Sequence, residues 1–302
     1  MNDAIVTEHL IKIYNDGTKA LDDISINIKS KGITCILGRN GAGKTTFLRI
    51  VGTQLLPTSG KFIILGYDGI REANEIRKRI AVVPQEARTF NIYTPWDHVY
   101  YYALLRGMSR ITARTETSRV LEELGLYEVR NKMCFELSGG LRQRVLIAMA
   151  LVSNAEVMLL DEPTIGLDPL ARREIWEYIK KLPLMGHTIL LTTHYLDEAE
   201  ILADDIIIID RGKLIAHGNS EQLKNLVTSK FTIILDNLNG KIPNIENIEI
   251  SESANGSKLI IHINNESDLL KVVNYAIKYG LKIQIHPTTL EDVFLKLVGG
   301  IE

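Results

Sequence analysis

The chain has 302 residues, 45% of them hydrophobic and 24% charged, with a formal net charge of -2 at pH 7, an ordinary balance for a folded globular protein. That length accommodates one large domain plus a smaller one. The charge offers no electrostatic footprint for nucleic acid, and two cysteines without metal-ligand spacing exclude a disulfide framework.

The first ten residues, MNDAIVTEHL, lack the basic start and apolar core of a secretory leader, so none is expected. No apolar run approaches the roughly 18 residues that cross a bilayer. Five short runs read as buried strands: ITCIL (33–37), IAVV (80–83), VMLL (157–160), TILL (188–191) and IIII (206–209). Continuous apolar strands, rather than alternating ones, predict a parallel sheet covered on both faces. Cys35 lies within the first and reads as a small core hydrophobe. Helical patterns, KTTFLRIVG after the first strand and LARREIWEYIKKL after the third, give the alternation of an α/β core.

Between the second and third runs, about residues 87–155 show no strand pattern and predict a helical subdomain. Thr94 and Pro95 fit a cap and first turn for WDHVYYYALLRG, and Gly125 fits the stop of RVLEELG. Leu141, Val145, Ala148 and Val152 share one helical face directly after Ser138, Gly139 and Gly140. A helix opening this way points backbone N–H groups outward and favours anions. Beyond about residue 226 the composition shifts: arginine ends at Arg211 and asparagine becomes frequent. There FTIILD, IENIEI, KLIIHI and LKIQIH read as strands and SDLLKVVNYAIKYG as a helix.

The chemistry-bearing motif is GRNGAGKT (38–45), between a strand and a helix, which fits the phosphate-loop pattern. Gly38, Arg39, Asn40, Gly41, Ala42, Gly43, Lys44, Thr45 and Thr46 are therefore candidate nucleotide ligands. The glycines let backbone N–H groups curl around phosphate oxygens, Lys44 can reach the terminal phosphates, and Thr45 can offer its hydroxyl to Mg²⁺. VMLLDEP ends a strand on Asp161 and Glu162. Ligands of open α/β sheets sit beyond the carboxyl ends of the strands, so both acids would join the phosphate site. Asp161 is placed to bind Mg²⁺, directly or through water, and Glu162 to polarise an attacking water. Two more strands deliver Gln85 (IAVVPQ) and His194 (TILLTTH) to the same edge. Gln85 could coordinate Mg²⁺ or the water, and His194 could hydrogen-bond the γ-phosphate.

These motifs, with LSGG (137–140), LLDEP and GLDP (166–169) in order, resemble the ATP-binding cassette (ABC) ATPases over nearly the whole first 225 residues. The resemblance implies that the α/β core is a P-loop NTPase with a helical subdomain, in a domain of residues 1–226, while the strands and helix beyond it read as a small C-terminal α+β domain over 227–302. It implies ATP and Mg²⁺ as ligands, with Tyr14 stacking on adenine. It also implies head-to-tail pairing with a second copy or a homologous ABC subunit, in which Ser138, Gly139 and Gly140 touch the partner's nucleotide and Asp168 lies at the seam. Leu141 departs from the commonest signature, which continues with Gln, and removes any polar side-chain contact from that position.

The tail PTTLEDVFLKLVG (287–299) resembles ATPase subunits of ABC-2 type exporters of the drug and polysaccharide/lipid groups. That implies a separate transmembrane permease and peripheral attachment at the cytoplasmic face of the membrane, with residues 86–102, including Trp96 and Tyr100–Tyr102, as candidate docking lining or as buried aromatics of the helical subdomain. No nucleic-acid partner is expected. Two alternatives carry less: a soluble ABC ATPase without a permease, and an ATP-gated interaction protein without turnover, which Glu162 and His194 argue against. A GTPase lacks its guanine motif here, since NKMC (131–134) has no Asp.

Overall fold

The computed structural model describes residues 3–227, 231–236, 249–252 and 258–299. They form two compact units, Met1–Asn219 and Ser220–Glu302. The first opens with β1 (Asp3–Ile13), β2 (Lys19–Lys29), β3 (Ile33–Leu37), α1 (Lys44–Val51), β4 (Ser59–Ile64), β5 (Tyr67–Asp68), α2 (Ala73–Arg79) and β6 (Ile80–Val83). Three helices follow without an intervening strand: α3 (Pro95–Leu105), α4 (Arg110–Glu123) and α5 (Gly139–Val152). The unit closes with β7 (Val157–Asp161), α6 (Pro169–Ile179), β8 (Thr188–Thr193), α7 (Leu196–Leu202), β9 (Asp205–Asp210) and β10 (Lys213–Gly218).

The five apolar runs fall on β3, β6, β7, β8 and β9, and these pair in parallel in the order β9-β3-β8-β7-β6, with β10 added antiparallel at one edge. Every residue of β3, β7 and β8 is buried, as strands covered on both faces require. A second, antiparallel sheet, β2-β1-β4-β5, was not anticipated. Ile5, Leu10, Ile24, Ile28 and Ile64 of this sheet join Phe47 and Ile50 of α1 in one core with Leu159, Leu190 and Ile207 of the parallel sheet.

In α3, Thr94 caps the helix by accepting from Asp97 N while the Asp97 carboxylate accepts from Thr94 N, and Pro95 fills the first turn. Gly125, at φ 64, follows α4. α5 is buried along most of its circumference: Val145, Ala148 and Val152 lie in the core, Leu141 is half-buried, and Ile147 and Leu151 are covered too.

The second unit contains α8 (Ser220–Lys224), β11 (Phe231–Asp236), β12 (Glu249–Glu252), β13 (Lys258–Ile263), α9 (Glu266–Tyr279), β14 (Lys282–Pro287) and α10 (Leu290–Val298). Its four strands pair antiparallel in the order β12-β13-β11-β14. Ile233, Leu235, Leu259, Ile261 and Ile263 form a core with Val272 and Ala276 of α9. Asn265 caps α9 and left-handed Gly280 ends it. Of the expected strand IENIEI, residues 245–248 lie outside the described residues. The PTTLEDVFLKLVG segment supplies the end of β14 and all of α10, which a Thr289–Asp292 capping box opens.

Candidate active site

Four parallel strands end at one edge in near-register. Leu37 pairs with Thr193 and Asp161 with Thr192, so Gly38, His194 and Glu162 leave the sheet side by side. Val83 pairs with Leu160, which brings Gln85 to the same edge.

The loop between β3 and α1 has little room. A Cβ on Gly38 would sit 2.3 Å from the Ile209 carbonyl oxygen, and one on Gly43 2.4 Å from that of Ala20. Gly43 also adopts φ 107 as the residue before α1, a conformation glycine reaches without steric cost. Ala42 N donates to Arg39 O at 3.1 Å, and Gly212 N to Ala42 O at 2.9 Å. Those bonds tie the loop to itself and to the β9–β10 turn.

Lys44 is only 5% exposed, and its ammonium donates to Gly38 O at 2.8 Å and Arg39 O at 3.1 Å. Its Nζ also lies 3.4 Å from Glu162 Oε1. Thr45 Oγ1 donates to Asp161 Oδ1 at 3.1 Å, and Thr192 Oγ1 donates to the same oxygen at 2.5 Å. Thr192 in turn accepts from Glu162 N at 3.0 Å. Glu162 adopts φ 47, left-handed for a non-glycine residue, a strain of order ~1–3 kcal/mol that persists only where the surroundings enforce it. His194 Nδ1 lies 3.1 Å from Glu162 Oε2.

Tyr14 is half-buried, and its hydroxyl lies 3.1 Å from Thr46 Oγ1. A single cavity is lined by Tyr14, Asn40, Gly41, Gly43, Lys44, Thr45, Thr46, Gln85 and Glu162, joined by Thr18, Lys19, Ala20, Ile165 and Arg211. A neighbouring one runs from Gln85, Asp161 and Glu162 to Gly139, Arg142 and Gln143 at the start of α5. Ser138 and Gly140 line neither. Ser138 is exposed, and its Oγ accepts from Leu141 N at 3.3 Å, so one of the N–H groups expected to be bare is capped within the chain. Asp168 caps α6, accepting from Leu170 N and Ala171 N at 3.0 Å each.

Sequence reasoning missed Thr192, which bonds the Asp161 carboxylate and the Glu162 amide. The only trace of it was a polar pair, Thr192–Thr193, ending an otherwise apolar strand just before His194. Cys35 is fully buried, and burial pushes its thiol well above the usual range, as an inert core thiol requires. On the helical subdomain, Phe90, Tyr93, Tyr101, Tyr102, Leu105 and Met149 line an apolar groove with Asp97 and His98. Phe90, Tyr101 and Leu105 are 68%, 54% and 84% exposed. Trp96 and Tyr100 are half-buried and stacked on each other, with ring centroids 6.4 Å apart. Among the described residues no helix is long and apolar enough to cross a membrane.

Residues 21–165 match the ABC transporter family. The chain is 39% identical over 226 residues to the daunorubicin/doxorubicin resistance ATP-binding protein DrrA of Streptomyces peucetius, covering 75% of this chain and 68% of that protein. It is also 39% identical over 232 residues to the retinal-specific phospholipid-transporting ATPase ABCA4 of Bos taurus, which spans 76% of this chain but only 10% of that much longer relative. Among solved structures, cbiO1 of Clostridium perfringens, part of the ABC transporter complex cbiONQ, superposes with a TM-score of 0.67 at 30% identity, over 72% of this chain and 89% of that one. An ATP-binding cassette solved as a dimer in a post-hydrolysis state with ADP and Pi matches with a TM-score of 0.64 at 28% identity, over 71% of this chain and 98% of its own. With a phosphate loop, an acidic pair and a histidine gathered at one sheet edge and this degree of identity to DrrA, the chain belongs to the ATP-binding family of ABC transporters, and it is an ATPase.

Proposed function

We propose that this chain is the ATP-hydrolysing subunit of an exporter-type ABC transporter, acting through a separate membrane permease and pairing head to tail, when ATP binds, with a second copy or a homologous subunit. The observation that carries this reading is the cluster at one sheet edge in which Lys44 pairs with Glu162, Thr45 bonds Asp161 and His194 meets Glu162. Ser138 is meanwhile presented outward. The drug-resistance relative, the phospholipid-transporting relative and the C-terminal segment 287–299 support export. Attachment would be peripheral, at the cytoplasmic face of the membrane.

In this reading Tyr14 stacks on adenine, and the backbone of Gly38–Thr46 cradles the phosphates. Lys44 leaves its loop carbonyls and Glu162 for the terminal phosphates. Mg²⁺ favours oxygen donors and keeps several waters; the Thr45 hydroxyl and Asp161 carboxylate, which share a hydrogen bond, fit it, with Gln85 lining both the cavity that Thr45 lines and the neighbouring one that Asp161 lines. Bound there, the ion would neutralise charge on the phosphate oxygens. Glu162 orients the attacking water, and His194 holds the Glu162 carboxylate and faces the γ-phosphate. Ser138, Gly139 and Gly140 complete the nucleotide pocket of the facing copy, with Asp168 at the seam. The groove around Phe90, Tyr101 and Leu105 receives the permease.

Ser138→Arg tests the pairing. The monomer should bind ATP normally but fail to dimerise in sedimentation with ATP, and a normal ATP-dependent dimer would overturn the two-chain pocket.

A further inference from the structure

Glu198 lies on α7, four residues beyond His194, and is fully buried. Its Oε1 accepts two hydrogen bonds, from Thr164 Oγ1 at 2.7 Å and from Trp176 Nε1 at 2.8 Å. The donors come from different segments. Thr164, also fully buried, stands two residues beyond Glu162. Trp176 is 5% exposed and sits on α6, the helix capped by Asp168. One carboxyl oxygen therefore ties the loop after Glu162 and the Asp168 helix to the segment that begins at His194.

A second brace runs beside it. The Tyr195 ring lies 4.1 Å from that of His194, centroid to centroid, and the Arg172 guanidinium of α6 lies 3.9 Å from the Tyr195 ring centroid. Burial raises the Glu198 carboxyl above the usual carboxylate value, against the hydrogen bonds from Thr164 and Trp176 that favour the charged form. A buried ionisable group is costly, and a helix packed on a sheet edge does not require one for its core. The bonds it makes lead to the strained residue. Glu162 needs its surroundings to hold φ 47: Thr192 holds its amide from one side, and Thr164, fixed by Glu198, anchors the chain that follows.

We propose that Glu198 is a positioning residue for ATP hydrolysis, which holds Thr164 and Trp176 on one carboxyl oxygen and thereby keeps Glu162 and His194 in hydrogen-bonded register without touching the nucleotide. This rests on the reading that Glu162 orients the attacking water. Displacing a reacting group by about 1 Å can cost on the order of a hundredfold in rate, so a small relaxation of this loop is readable in turnover.

The test measures kcat, KM and ATP affinity for Glu198→Gln, Glu198→Ala and Thr164→Val. Glu198→Ala and Thr164→Val should lower kcat by at least about tenfold with ATP affinity close to the parent's. Glu198→Gln, whose amide oxygen still accepts both bonds, should keep most of the rate. A purely structural role predicts instead that rate and affinity fall together with the folded fraction, and that result would overturn the proposal. Unchanged kcat in Thr164→Val would overturn it too, and that variant decides the matter if Glu198→Ala does not fold. Glu162→Gln separates the two levels: if it leaves hydrolysis intact, the parent reading fails; if it abolishes hydrolysis while Thr164→Val is silent, only the positioning role fails.

Discussion

Replacing Glu162 by Gln changes two things, and their magnitudes differ. The first is chemistry: if the carboxylate orients the water, losing its basicity should lower kcat by about 10²–10⁴. The second is the partner of Lys44. Lys44 Nζ stands 3.4 Å from Glu162 Oε1, with side chains 5% and 7% exposed. At an effective dielectric of about 20, unit charges at that separation attract by about 5 kcal/mol. Desolvation of both groups cuts the net value to the ~1.5–3 kcal/mol of a charge-assisted hydrogen bond. ATP must take Lys44 away from this partner and then sit near the carboxylate. Glutamine removes that competition, so ATP affinity should hold or rise by up to about tenfold, the equivalent of ~1.4 kcal/mol. The backbone strain at φ 47 is common to both residues and cancels. Single-turnover hydrolysis and equilibrium titration with ATP check both halves. Hydrolysis at the parent rate would refute the role of Glu162, and an affinity loss beyond about tenfold would refute the view that Lys44 is held in reserve by it.

Lys44→Ala removes the only ammonium bonded to the loop carbonyls of Gly38 and Arg39 among the described residues. ATP affinity should fall by about tenfold to a hundredfold, matching a lost charge-assisted bond of ~1.5–3 kcal/mol, as read by titration. Thr45→Val deletes the hydroxyl bonded to Asp161; the Mg²⁺ concentration for half-maximal hydrolysis should rise severalfold while metal-free ATP binding changes less. Glu198→Gln bears on stability and pH. A carboxyl whose folded pKa is raised gives stability that is fully present below its unfolded value, near 4.5, and is lost as pH rises through the folded value. Denaturant titrations should therefore show Glu198→Gln gaining on the parent as pH rises above about 4.5, and a constant difference would contradict a buried, titrating carboxyl.

The parts legible in sequence were those whose signature is local. The phosphate loop is a covalently contiguous turn, and glycine is demanded at Gly38 and Gly43 by the backbones of Ile209 and Ala20. Strands covered on both faces announce themselves as unbroken apolar runs, so β3, β6, β7, β8 and β9 stood out, and with them the residues at their carboxyl ends. The antiparallel sheet did not. β1 and β2 bury only one face, and their pairing slips between Thr7 and Leu10 and again near Lys12, which breaks the period-two pattern that would reveal them. His9 and Asp23, with φ 50 and 64, mark those irregularities. Thr192 and Glu198 were hidden for another reason. Their significance lies in what they bond across the fold, at Asp161 and Glu162 for the first and at Thr164 and Trp176 for the second. In sequence, Glu198 sits in LDEAE and looks like one more acid on a solvated helix.

The presence of two glycine-bearing helix starts in one chain has a physical reading that their different surroundings support. α1 begins at a residue whose loop lines a cavity and whose lysine donates to the carbonyls of that same loop. α5 begins at an exposed serine that accepts from Leu141 N. A hydroxyl has one proton and two lone pairs, so that acceptance leaves its proton free to donate to an arriving oxygen. The cap therefore fixes the hydroxyl in place, contributing about 1 kcal/mol to the helix, without consuming the group proposed to bind phosphate. Such a start is stable alone and still able to bind an anion from outside its own chain. That is what the proposed pocket, completed by a second molecule, requires: each half must fold and persist unpaired.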